Sequence, residues 1–196
     1  EITEGTSIRL EPSYVPADAS EKTLSWTNSN KNALSIKTSG SNVCVVTAGK
    51  VARNTIVKLK AEAVDLGEAS CELEFIIRPK VEKIKIYRTD DPDHCVSGGN
   101  IGIDPEKDNM TFQLRAENDP GDASQTVTWK IDGTKVANLV SNDDGTCTIT
   151  VKGKGTAVIT ASAVDGSKTT AITTLNVTSL ASSVEIEGSN MVMKGK

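Results

Sequence analysis

The chain has 196 residues, enough for one or two domains. Its net charge of −4 and its pI near 5.2 argue against a nucleic-acid surface, which needs a basic patch. An aromatic content of 3% argues against a stacking platform for bases or sugars, and no apolar run is long enough to insert this segment into a membrane.

Taken in order, the chain alternates short apolar runs with turn residues. Strands are expected near 6–11, 23–28, 34–37, 43–48, 55–64 and 70–77. A second set is expected near 81–87, 110–116, 126–131, 136–140, 146–152, 156–164 and 168–177. The period is two: Val57, Leu59, Ala61 and Ala63 face one way, and Lys58, Lys60 and Glu62 the other. Such a strand has one dry and one wet face, and the Lys/Glu alternation suits cross-strand pairing on the wet one. Asp144-Gly145 and Asp165-Gly166 mark tight turns between strands, with Leu66-Gly67 as the counterpart of the latter. Seven short strands in the second half match an immunoglobulin-type sandwich.

The two halves repeat each other. Pro16-Ala17-Asp18-Ala19-Ser20 leads to Trp26, and Pro120-Gly121-Asp122-Ala123-Ser124 leads to Trp129, 103 residues after the first tryptophan. Ile8 and Leu10 match Phe112 and Leu114, Leu24 matches Val127, and Cys44 matches Cys147. Val57-x-Leu59-x-Ala61-x-Ala63-Val64-Asp65 matches Ala157-x-Ile159-x-Ala161-x-Ala163-Val164-Asp165. Trp26 and Trp129 share a face with Leu24 and Val127, which places both indoles in the cores.

These residues resemble the bacterial immunoglobulin-like domain, group 2. The resemblance rests on P-x-D-A-S, the T-[LV]-[ST]-W strand, the approach to A-x-A-V-D and the final alternating strand, and it covers two tandem copies. Gly153-Lys154-Gly155-Thr156-Ala157-Val158-Ile159-Thr160-Ala161 matches the family's G-x-G-T-A-x-I-T-A, whereas the first copy has Ala52-Arg53-Asn54 where the glycine is expected. The resemblance implies secreted or surface bacterial proteins. There such repeats serve as stalks, adhesin segments or appendages of cell-wall and glycan-active enzymes, and no catalytic residues are shared.

The expected fold class is all-β: two tandem Ig-like β-sandwiches plus the first strand of a third repeat at the C-terminus. The expected boundaries are 1–79 for a repeat lacking its first strand, 80–178 for a repeat with a long first loop, and 179–196 for a linker and the first strand of a following repeat. Val184-Glu185-Ile186 resembles Ile84-Lys85-Ile86, and Glu1 opens in mid-pattern, so the chain reads as a piece of a longer protein cut out of phase. An edge near Thr6–Leu10 or Ser70–Ile77 is then expected to be unpaired. Arg78-Pro79-Lys80 is the whole connection between the copies, and its proline suggests a stiff joint.

Thr89–Asn109 is about 14 residues longer than the corresponding step in the tail and gathers Asp90, Asp91, Asp93, His94 and Cys95. An oxygen-rich loop can hold calcium, and Asp90, Asp91 and Asp93 are the metal candidates, although their spacing is not D-x-D-x-D-G. A solvated acidic loop accounts for the same residues. Neighbouring His94 and Cys95 point apart and lack a third group to orient them, so no catalytic residue and no cofactor is expected. No C-x-x-C pair and a lone histidine leave no zinc ligand set. Two cysteines per half permit Cys44–Cys71 and Cys95–Cys147 disulfides, while Cys44, Cys71 and Cys147 at apolar strand positions suit free core thiols.

The functional expectation is a non-enzymatic spacer or adhesion module of a secreted or surface-anchored bacterial protein. The alternatives are a module binding a glycan or a host surface protein through the 89–109 loop, or an accessory domain of a cell-wall or glycan-active enzyme. Neighbouring repeats of the same chain are further expected partners.

Overall fold

A computed structural model describes residues 1–19, 22–39, 42–64 and 69–178, and all regular structure among them is β. The expected C-terminal strand of a third repeat, and the Leu66-Gly67 turn, lie outside the described residues. Among the described residues sixteen strands form four sheets, which pack as two sandwiches.

The first sandwich contains β1 (Ile2–Thr3), β2 (Ser7–Leu10), β3 (Leu24–Asn28), β4 (Leu34–Ser39), β5 (Val43–Ala48), β6 (Thr55–Ala63) and β7 (Ser70–Arg78). One sheet has the order β1-β7-β6-β3 and the facing sheet the order β2-β5-β4. The second sandwich contains β8 (Lys83–Arg88), β9 (Asp91–Cys95), β10 (Asn100–Ile103), β11 (Thr111–Asp119), β12 (Val127–Asp132), β13 (Ala137–Ser141), β14 (Cys147–Val151), β15 (Gly155–Ala163) and β16 (Thr170–Val177). Its sheets have the orders β10-β16-β15-β12 and β13-β14-β11-β8-β9.

Alternation decides which residues make each core. On β6, Val57, Leu59 and Ala61 are buried, and on β15 so are Ala157, Ile159 and Ala161. The small alanines let the facing sheet approach. Lys58 on the outer face bonds Glu72 on β7 at 2.9 Å, an exposed pair that adds little stability. In the second sandwich Ile84 and Ile86 of β8 are 3% and 0% exposed, and burying each aliphatic side chain contributes about 1.5–3 kcal/mol.

The matching turns before β5 and β14 both need a left-handed residue. Gly145 supplies it at φ 83° and Asn42 at φ 59°. Asparagine is among the few non-glycine residues that tolerate that region.

Several expectations need correction. Thr89–Asn109 is not simply a loop. Asp91–Cys95 turns back as β9 beside β8, with a register shift at Tyr87/Arg88, and Asn100–Ile103 pairs parallel with β16. Ile2–Thr3 pairs the same way with Ile77–Arg78. Parallel pairing of short strands leaves no local hairpin signal, so periodicity alone does not reveal it. Trp26 and Trp129 pack against the cores but are only half-buried, because β3 and β12 are edge strands. All four cysteines are free, and Cys71 is exposed rather than a core thiol. It faces the groove described below.

Candidate functional site

The acidic stretch after β8 is organised by arginines. Arg88 donates from Nε and Nη2 to the two carboxylate oxygens of Asp90 at 2.8 and 2.7 Å. That bidentate bond holds the Asp90 carboxyl below the usual range. Arg115 donates to the Pro92 carbonyl at 3.2 Å, tying β9 to β11, and its guanidinium lies 4.5 Å over the Tyr87 ring. Asp91 and Asp93 sit two apart on β9, whose five residues are all exposed. Asp90 is thus drawn to Arg88, while Asp91 and Asp93 belong to the edge strand. Among the described residues no three His, Cys, Asp or Glu side chains converge as a metal cluster.

Consecutive strand residues point to opposite faces, so His94 and Cys95 diverge. Burial pushes the Cys95 thiol up. Hydrogen bonds from Ser97 and the Ile86 backbone, with the Lys83 charge, more than offset this and bring it below its ordinary value. Further on, Asp104 is buried, accepts the Glu106 N–H at 3.1 Å, and lies 3.6 Å from Lys107. It shapes a turn.

The larger feature is a groove in the first sandwich. Residues 111–114 of β11 pair with β14, and residues 114–119 pair with β8. In the first sandwich Ser7–Leu10 pairs with β5, as 111–114 does with β14. No described strand lies where β8 would be. Residues 11–15, the counterparts of 115–119, accordingly leave β2 as irregular backbone. Between them and the other sheet opens a cavity of about 460 Å³, lined among others by Leu10, Tyr14, Trp26, Leu59, Cys71 and Leu73.

The missing neighbour changes the exposure of every residue around it. In the second sandwich Leu114 is fully buried, Phe112 is 5% exposed and Ala123 is 1% exposed. Their counterparts Leu10, Ile8 and Ala19 are half-buried. Tyr14 bridges the gap at one end, donating to the Lys22 carbonyl at 2.7 Å and accepting from Asn42 Nδ2 at 3.2 Å. Trp129 Nε1 donates to the Gly145 carbonyl at 3.0 Å, whereas Trp26 Nε1 is buried with no hydrogen-bond partner among the described residues. An open edge, at Thr6–Leu10 or Ser70–Ile77, was legible from the repeat phase. The cavity was not, because it is made by residues distant in sequence.

Neither a protein-family model nor a curated sequence matches the chain. Solved structures do. A C-terminal 282-residue fragment of intimin, in complex with the intimin-binding domain of the translocated intimin receptor, aligns over 90% of this chain at TM-score 0.50 and 16% identity. The fold is immunoglobulin-like. More distant Ig-like or cadherin-like likenesses include the protocadherin gammaB7 EC3-6 cis-dimer, with 91% of this chain covered at TM-score 0.36 and 16% identity. Domains 5-6 of the S-layer protein SbsC cover 91% of this chain and 93% of their own at TM-score 0.32 and 14% identity. The chain spans 61% of the intimin fragment and 45% of the protocadherin chain. At such identities the likeness of these Ig-like sandwiches is one of fold. No helix among the described residues is long and apolar enough to cross a membrane.

Proposed function

We propose that the chain is a non-catalytic spacer or adhesion module of a secreted or surface-anchored bacterial protein. Residues 1–79 and 80–178 are its two group 2 bacterial Ig-like repeats, and residues 179–196 open a third. The observation that carries this reading is the joint. Only Pro79-Lys80 separates β7 from Val81, and Val81 is held on both sides. Its N–H donates to Asp165 Oδ2 at 2.7 Å, and its carbonyl accepts from Thr169 Oγ1 at 2.7 Å. Across the joint, the Asn54 N–H donates to Asp122 Oδ2 at 3.0 Å. A short connection anchored at its exit restricts swinging, which is what a spacer that holds a functional head at a distance requires. Small-angle scattering tests it. A scattering profile fitted by one fixed arrangement of the two sandwiches is expected, and a profile that needs an ensemble of arrangements would overturn the stiff-spacer reading.

A second reading uses the 89–109 segment to bind a glycan or a host surface protein. The exposed edge of β9 favours it, since such edges can accept an added strand or a polar ligand. Arrayed glycans and host-cell binding, each compared with a variant in which Asp91 and Asp93 are replaced by Asn, would reveal this use.

A further inference from the structure

The groove beside Ser7–Leu10 is shaped for a particular kind of occupant, and the second sandwich displays it. There β8 lies antiparallel to residues 114–119 and packs across β15 and β16, with Ile84 and Ile86 pointing inward. The Thr89 N–H donates to the Gln113 carbonyl at 3.0 Å, in the register that also pairs Arg115 with Tyr87 and Glu117 with Lys85. Ladder bonds to β8 therefore fall on residues 115, 117 and 119. The Asn118 N–H is turned elsewhere, to Gln125 Oε1 at 2.9 Å.

Transferred to the first sandwich, the bonding positions are Glu11, Ser13 and Val15. Pro12, which has no N–H, falls at the counterpart of Ala116, where none is needed. The edge is thus competent for a strand despite its proline. The floor is competent too. Leu73 is 45% exposed, and Cys71 is exposed beside it.

The chain carries a segment of matching chemistry. Val184-Glu185-Ile186 repeats the inward aliphatic pair of Ile84-Lys85-Ile86 at a spacing of 100 residues. It cannot reach its own first sandwich. Val81, next to the joint, is bonded to Asp165 and Thr169 just before β16 begins, whereas the chain leaves β16 at its other end, after Val177. The five residues 179–183 span at most about 18 Å, and the eight residues of β16 alone extend about 26 Å.

We propose that residues 183–188 of one copy of this chain enter the groove of a second copy as an added strand. It would run antiparallel to residues 10–15, with Val184 and Ile186 inward. Donor and acceptor are different surfaces, so the association either propagates head-to-tail or closes where copies exchange tails.

Light scattering of the whole chain over a concentration series tests this. The expected mass grows at least twofold with concentration. Ile186→Asp or deletion of Ser179–Lys196 returns it to the monomer, and Glu185→Lys, on the outward face, leaves assembly intact. In a Cys95→Ser background Cys71 is the accessible thiol. Its reaction with an aromatic disulfide reagent should slow about tenfold when the synthetic peptide Ala181–Asn190 occupies nine-tenths of the grooves. A monomer at every concentration with unchanged Cys71 reactivity under the peptide would overturn the proposal. So would assembly that survives deletion of 179–196.

Discussion

Leu73 and Thr173 occupy the same inward position on β7 and β16, yet the leucine is 45% exposed and the threonine is fully buried. The order is the reverse of what side-chain polarity dictates. The cause lies in the neighbours. Thr173 is roofed by the β8 side of its sandwich and by the Gly99 region, whose carbonyl its hydroxyl approaches at 3.5 Å. Leu73 has no such roof. It pairs across the sheet with Leu59, which is 1% exposed, so the open region begins at Leu73 itself.

The two sandwiches should therefore unfold separately, the first at lower denaturant. Its core is smaller and lacks the contribution of two isoleucines at the place of Ile84 and Ile86. Single-tryptophan variants assign the steps. Trp129→Phe leaves Trp26 to report the earlier transition, and Trp26→Phe leaves Trp129 to report the later one. Coincident transitions from the two probes would contradict this order.

The same substitutions differ in energy. Trp129→Phe removes the bond from Nε1 to the Gly145 carbonyl and should cost about 1 kcal/mol beyond the loss of ring area. Trp26→Phe removes a buried N–H that has no partner among the described residues, so the corresponding loss is absent and part of a desolvation cost is relieved. Calorimetry of the separate transitions measures both.

Asp165 ties stability to pH. Burial pushes its carboxyl up, but hydrogen bonds from Ser167 and the Val81 N–H outweigh that and leave it below the ordinary value. The Arg88 pairing lowers Asp90 in the same direction. A carboxyl with a lower pKa folded than unfolded stabilises the fold fully above its unfolded value of about 3.9, and that stability is lost as pH falls through the folded value. The second sandwich should accordingly weaken below about pH 4. Asp165→Asn should flatten part of that acid limb and lower stability at pH 7 by roughly 1–3 kcal/mol. Urea midpoints from pH 2 to 7 check it.

Thiol chemistry reads the fold directly. Cys71 and Cys95 are exposed, while Cys44 and Cys147 are buried. Burial raises the Cys44 thiol and pushes that of Cys147 up to about 12. A native titration should show two fast thiols, with Cys95 the faster because its thiolate is favoured, and denaturant should release the other two. Four fast thiols in the native state would contradict the burial of Cys44 and Cys147.

The sequence by itself determined the class of fold, because period-two alternation and the repeated P-x-D-A-S turn are local signals. Val57, Leu59 and Ala61 had to face a core wherever that core lay, and Asp144-Gly145 had to turn the chain. The repeat phase narrowed the open edge to Thr6–Leu10 or Ser70–Ile77, and the structure places it at β2. Other features needed the tertiary structure. That Asp91–Cys95 folds back on β8 and that Asn100–Ile103 runs parallel to β16 follows from pairing between distant segments, which no local pattern encodes. The exposure of Leu73 and Cys71 and the partial burial of Trp26 and Trp129 follow from position in the sheet. Alternation says which way a side chain points, and only the neighbouring strand decides whether anything covers it.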